Sequence, residues 1–233
     1  GAGTLLYGIY LTNSRGGMLS AAAQFLFFAV GRWGVVRSVI PVFIGIAGLL
    51  MLPSRLDNLD ADEASAEGRV EAWYAGIWML IRHPIFGVGK GLFSEHHPLA
   101  AHNAYVLAFA ELGLFGYFFW LSFVALSVLM VWNASRTAKA PGDVDGTEWA
   151  SHRAIARVYL ISMLGYLTGS FFLSRTYNPL LFMMGALCVA IFQLMRHRWP
   201  ALPPVRFGAW AVPLFLLEIG SVIFMFLVVK VLI

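Results

Sequence analysis

Residues 102–132 read HNAYVLAFAELGLFGYFFWLSFVALSVLMVW, an apolar run with one charged side chain, Glu111, and two interior glycines, Gly113 and Gly116. A helix needs about 20 consecutive apolar residues to cross the hydrocarbon core of a bilayer. The run exceeds that length, and residues 114–132 suffice by themselves. One reading is a single straight helix that carries Glu111 deep into lipid, where an ionisable group marks a functional site. The other is a short helix at 102–112 near the interface, a bend at Gly113–Gly116, and a separate crossing beyond it. The second is preferred, with Glu111 fixing the bend through hydrogen bonds.

Similar runs flank this one. Residues 1–12 read as the end of one helix, and 17–31, 37–52, 156–173, 179–195 and 208–229 read as further crossings. The chain has 233 residues, 60% hydrophobic and 12% charged, whereas a soluble domain is about half apolar and a quarter charged. Lipid is therefore the solvent for most of it. The expectation is an all-α, polytopic membrane bundle of about six crossing helices, with a large, partly helical loop outside. Residues 1–52 hold transmembrane helices and an outward-facing SRGG turn. Residues 53–101 are expected to form the large outer loop, and 102–233 a short interfacial helix plus four transmembrane helices. The opening GAGTLLYGIYL lacks the charged start of a signal peptide. It reads as a helix already under way, so further helices are expected upstream. The lone Cys188 lies in an apolar run and says nothing of redox compartment.

Basic residues in short loops stay on the cytoplasmic side. One set of alternate loops holds Arg32, Arg37, Arg136, Lys139, Arg153, Arg157, Arg196, Arg198 and Arg206 against Asp143, Asp145 and Glu148, a net charge of +6. The other set balances seven basic and seven acidic residues. The first set is expected inside, which leaves the 53–101 loop on the outer face. The pI of 9.4 then reflects topology and gives no reason to expect nucleic-acid binding.

The outer loop is patterned. Val70, Trp73, Tyr74, Ile77, Trp78 and Ile81 recur at helical spacing, which predicts an amphipathic helix at about 66–83. Ser65 is its expected N-cap, and Pro84 ends it after His83. Such a helix either lies at the membrane interface or packs on the bundle. The following HPIFGVGKGLF, 83–93, has three glycines but neither the Gly-Lys-Ser/Thr nor the strand–helix context of a phosphate loop. It reads as a tight turn back towards the membrane.

Several short motifs stand in order on this face. They are Ser14-Arg15-Gly16-Gly17; Gly68-Arg69 with Trp73; His83-Pro84 with Gly87-Val88-Gly89 and Phe93; His102-Asn103 with Tyr105; and Glu111 with Gly113 and Gly116. Over residues 4–130 the chain thereby resembles the bacterial O-antigen ligase and polymerase superfamily, which includes protein O-glycosylation ligases. The SRTYNP at 174–179 is similar to members tied to exopolysaccharide or exosortase systems. The resemblance implies a bacterial inner-membrane enzyme that transfers glycan from undecaprenyl diphosphate without a metal or cofactor. The acceptor is another glycan, lipid A core or protein. It implies that His102 is the catalytic histidine and that Arg15 and Arg69 bind the diphosphate.

The chemistry fits those roles. A lipid diphosphate leaves as an anion, which fixed cations stabilise as charge develops. Arginine grips phosphate bidentately and stays charged. An acceptor hydroxyl needs a base, and a neutral histidine serves near pH 7. The positive end of a helix starting at His102 favours that neutral form. Each residue also has a plainer reading. His102 could cap a helix, Arg69 could pair with an acid, and Arg15 could snorkel from a helix end. Arg175, in a short outer turn, is a further candidate for the anion, while Asn103, Trp73, Glu111 and Gly113 support the site. His83, His96 and His97 read as solvated, and with His102 they lack a metal-site spacing such as HExxH. Glu218 has no assigned partner. A transporter or flippase would place polar groups at the bilayer midplane in repeated halves, and the sequence shows neither. A non-catalytic envelope scaffold gives no reason for Arg15, Arg69 and His102 to share one face.

Overall fold

The structure, a computed structural model, describes residues 2–11, 15–38, 59–137 and 146–233. Among them the chain is helical, without strands. The elements are α1 (Ala2–Leu11), α2 (Arg15–Trp33), α3 (Leu59–Arg82), α4 (Phe93–His96), α5 (Ala104–Arg136), α6 (Thr147–Ser170), α7 (Pro179–Arg198) and α8 (Phe207–Leu232). α5 is the central post: α3, α6, α7 and α8 pack on it, and α2 packs on α6.

The protein is an all-helical membrane bundle. Among the described residues, α5, α7 and α8 are long and apolar enough to cross a membrane. This is fewer than the six crossings expected. α1 has ten residues. α2 and α6 are long enough but less apolar, α2 holding Arg15 and Arg32, and α6 holding Glu148, Arg153 and Arg157. The expected crossing at 37–52 lies outside the described residues beyond Ser38.

α5 is broken at Gly113, whose φ of 63° and ψ of −175° are non-helical. The bend expected at Gly113–Gly116 is therefore present. A break in a helix long and apolar enough to cross a membrane frees backbone groups that lipid cannot satisfy. The turn after α3 satisfies them. Val88 and Gly89 donate their N–H groups to the carbonyls of Ala110 and Glu111, at 2.9 and 3.0 Å. Leu114 and Phe115 donate to the carbonyls of Pro84 and Ile85, at 2.8 and 3.1 Å. The approach is so close that a Cβ on Gly113 would strike the backbone of Ile85 and Gly87, and one on Gly87 would strike Glu111 and Gly113.

α3 begins at Leu59, so Ser65 lies within it instead of capping it. The added turns, LDADEA, combine helix formers with acids that suit a helix N-terminus. The aromatic stripe divides. Trp73 and Ile77 are buried against the bundle, while Tyr74, Trp78 and Ile81 are exposed. Gly76 makes the close packing possible, since a Cβ there would stand 2.5 Å from Val106 Cγ1. α6 meets α2 in the same way, with Gly165 and Gly169 against Gln24 and Ser20, the small-xxx-small pattern of membrane helix pairs. That pairing is antiparallel and sets the start of α2 beside the end of α6.

The two ends of α5 differ. Near its C-terminus Arg153 Nε donates to Ser135 O at 2.7 Å, and Arg198 pairs with Glu148 at 3.2 Å. His102 and Asn103 stand at the opposite end.

Candidate functional site

The site is built where residues 99–103 run over α3 into α5. Gly68 lies under Leu99, and a Cβ there would stand 2.8 Å from Leu99 Cδ1. One turn further on, buried Trp73 Nε1 donates to Ala101 O at 2.7 Å. Trp73 therefore fixes the backbone immediately before His102. Asn103 then caps α5, its Oδ1 accepting from the N–H groups of Tyr105 and Val106 at 2.9 and 3.2 Å, as N-cap side chains do.

Between them His102 has a φ of 46°, which no other non-glycine among the described residues shares in sign. Residues other than glycine rarely adopt this conformation, and the cost persists only where surroundings over-determine it. Ala101 and Asn103 are both fully buried, whereas His102 is exposed. The ring is open on one side and partly enclosed on the other. That partial burial first, and the positive charge of Arg69 second, lower the His102 pKa from 6.5. Both effects favour the neutral, proton-accepting ring. The plainer reading of Arg69 as half of an ion pair finds no partner among the described residues.

A second loop, 171–178, closes on the start of α5. Buried Thr176 donates Oγ1–H to Ala104 O at 2.6 Å and accepts from Trp120 Nε1 at 3.0 Å. Phe171 packs edge-on against Trp73, with ring centroids 5.6 Å apart. Arg175, adjacent to Thr176, is exposed at this end of the bundle. Arg15 opens α2 at the same end by the antiparallel α2–α6 pairing, but its side chain and Ser14 lie outside the described residues.

Glu111 secures the turn below. Its Oε1 accepts from Phe93 N at 3.1 Å, and its backbone carbonyl accepts from Gly89. The Tyr177 hydroxyl lies beside this carboxylate, and burial first, then the carboxylate, push its pKa up. Tyr177 Oη and Glu111 Oε2 are both buried, and neither has another hydrogen-bond partner among the described residues. Lys90 Nζ stands 5.0 Å from the centroid of the Tyr177 ring, within cation–π range. His96 and His97 make local contacts with the backbone of Leu92 and Leu99. Among the described residues no three His, Cys, Asp or Glu side chains gather closely enough to hold a metal ion. Glu218 does not join the site. It is buried in α8 with Oε1 unpartnered, on an apolar cavity of about 480 Å³ beside Ile85 and Phe115.

A family model described as O-antigen ligase matches residues 1–121. The chain belongs to the O-antigen ligase family. The matched stretch holds Arg15, Arg69, Trp73, His102, Asn103, Glu111 and Gly113 and ends within α5. No match is found among curated proteins or among solved structures. The parts of this O-antigen ligase family member beyond residue 121 include Thr176 and Tyr177, which sequence reasoning missed. The only signal was the polar SRTYNP run between two apolar helices. It shows a turn but not that the turn folds onto Ala104.

Proposed function

We propose that this O-antigen ligase family member transfers a glycan from undecaprenyl diphosphate to an acceptor hydroxyl at the periplasmic face of the bacterial inner membrane. Family membership supports a membrane glycosyltransferase role. The observation that carries the finer reading is the Arg69–His102 pair: an exposed imidazole, held in a constrained backbone, with a cation acting on it.

In this reading a ring nitrogen of His102 takes the acceptor proton as the acceptor oxygen attacks the anomeric carbon. The bond from that carbon to the diphosphate oxygen breaks, and the electron pair leaves with the lipid diphosphate. Arg69, with Arg15 and Arg175 at the same end, neutralises the departing charge. Single displacement inverts the anomeric configuration. The basic end of the bundle, holding Arg136, Arg153 and Arg198, faces the cytoplasm by the positive-inside rule, which turns His102 outward. Lipid A core, protein and growing glycan all offer the required hydroxyl.

Complementation tests the proposal. The protein is expressed in one strain lacking its surface-glycan ligase and another lacking its polymerase, and glycan length and attachment are read on gels. Restored attachment identifies a ligase and restored chain length a polymerase. Restoration of neither, with the protein present in the membrane, contradicts the reading.

A further inference from the structure

At the end of the bundle away from His102, a cavity of about 490 Å³ opens between α2, α5 and α6. Its wall towards the bundle interior is apolar and includes Phe27, Ile161 and Leu164. Its rim is basic, made by Arg136, Arg153 and Arg157. Arg153 and Arg157 are one helical turn apart and so project along one face of α6. They also line an adjoining cavity of about 350 Å³.

Arg153 and Arg136 are each held in place without an ion pair among the described residues. Arg153 is held through Nε to Ser135 O at 2.7 Å, which leaves its terminal nitrogens to point elsewhere. The Arg136 guanidinium stacks 4.4 Å from the Trp132 ring centroid. Among the described residues none of the three forms an ion pair, and the nearby acid Glu148 is engaged by Arg198. A cluster of cations this close repels itself, which an anion would relieve.

Polarity runs along the helix axis, charged at the end and apolar deeper in. We propose that this cavity is a binding site for an anionic phospholipid of the cytoplasmic leaflet. The headgroup phosphate sits on Arg153, Arg157 and Arg136, and an acyl chain lies along Phe27, Ile161 and Leu164. Charge complementarity selects the phosphate, and the apolar wall selects a lipid over a soluble anion. Basic pockets between membrane helices on the cytoplasmic side bind acidic headgroups by this same physics. The lipid bridges α2 to α5 and α6 beside the close packing of α2 on Gly165 and Gly169 of α6. This site is independent of the glycosyl-transfer proposal, which uses the opposite end of the bundle.

The test uses the whole protein, purified in detergent and placed in nanodiscs of phosphatidylcholine alone or with phosphatidylglycerol or cardiolipin. Bound lipid is counted by native mass spectrometry and thermal unfolding is followed. The wild-type protein is expected to retain the anionic lipids over phosphatidylcholine by about tenfold or more. R153Q/R157Q should remove that preference, whereas the charge-matched R196Q/R206Q, which leaves the Arg198–Glu148 pair intact, should keep it. If R153Q/R157Q fails to fold, R157Q alone is expected to reduce the preference, because Arg157 has no hydrogen bond to Ser135. Equal retention of neutral and anionic lipid by the wild type overturns the proposal. So does equal loss in both double variants, or displacement of the lipid by millimolar inorganic phosphate, which would make the site one for a soluble anion.

Discussion

Gly87 and Gly113 meet backbone against backbone, each in a left-handed conformation, with φ of 67° and 63°. This contact lets the turn after α3 supply the four hydrogen bonds that the broken α5 lacks. Gly113→Ala adds a Cβ where the Ile85 and Gly87 backbone already stands. It should cost about 3 kcal/mol or more, since backbone cannot move aside as a side chain can. Gly91→Ala meets open space and should cost only about 1–2 kcal/mol for its positive φ. Thermal unfolding of both variants measures the difference. Gly87→Ala combined with Gly113→Ala should cost less than the two singly, because both break one contact.

Trp73 acts on His102 through Ala101. Trp73→Phe keeps most of the ring packing but leaves the buried Ala101 carbonyl unpaired, at about 1–3 kcal/mol. The loosened loop should lower the turnover of glycan transfer more than it lowers the unfolding temperature. A fall in both to the same degree would mean that the bond serves only stability.

Partial burial first, and the charge of Arg69 second, hold the His102 pKa down. In the proposed mechanism neutral His102 is the base, so its protonation defines the acid limb of the pH–rate profile. Removing the charge by Arg69→Gln should raise the His102 pKa and move that limb to higher pH. Arg69→Lys keeps the charge, so its limb should stay, while the lost bidentate grip raises the KM for the donor. An unmoved acid limb in Arg69→Gln would separate the two residues.

Glu111 accepts one hydrogen bond from Phe93 N and stands beside the Tyr177 hydroxyl. Glu111→Gln retains an acceptor oxygen for Phe93 and removes the charge that disfavours ionised Tyr177. Its stability should lie within about 1 kcal/mol of wild type, while Glu111→Ala should lose about 1–3 kcal/mol by orphaning a buried donor. Thermal unfolding of the pair separates a hydrogen-bonding role from a charge role.

Much of this architecture is legible in the chain because lipid imposes long apolar runs that no other solvent would tolerate. Gly113 and Pro84 likewise announce a bend and a helix end through their own backbone preferences. The pairing of Gly87 with Gly113 was not legible. Each glycine marks a close approach, but neither names what approaches it. The start of α3 at Leu59 was hidden because Ser65 is a good cap residue wherever a helix begins. The nearness of Arg69 to His102 appeared only as two residues on one side of the membrane. Thr176 was hidden altogether, since a threonine bonded to a backbone carbonyl 72 positions away leaves no local pattern.

The central claim is that His102 accepts the acceptor proton, its neutral ring favoured by partial burial first and by the charge of Arg69 second. The most direct measurement is the rate of glycan transfer by His102→Ala, in membranes where the protein is folded and present at the wild-type level. The account predicts a loss of about a hundredfold or more, as expected for removal of a general base. A rate within about twofold of wild type, well inside what losing such a base costs, would contradict it.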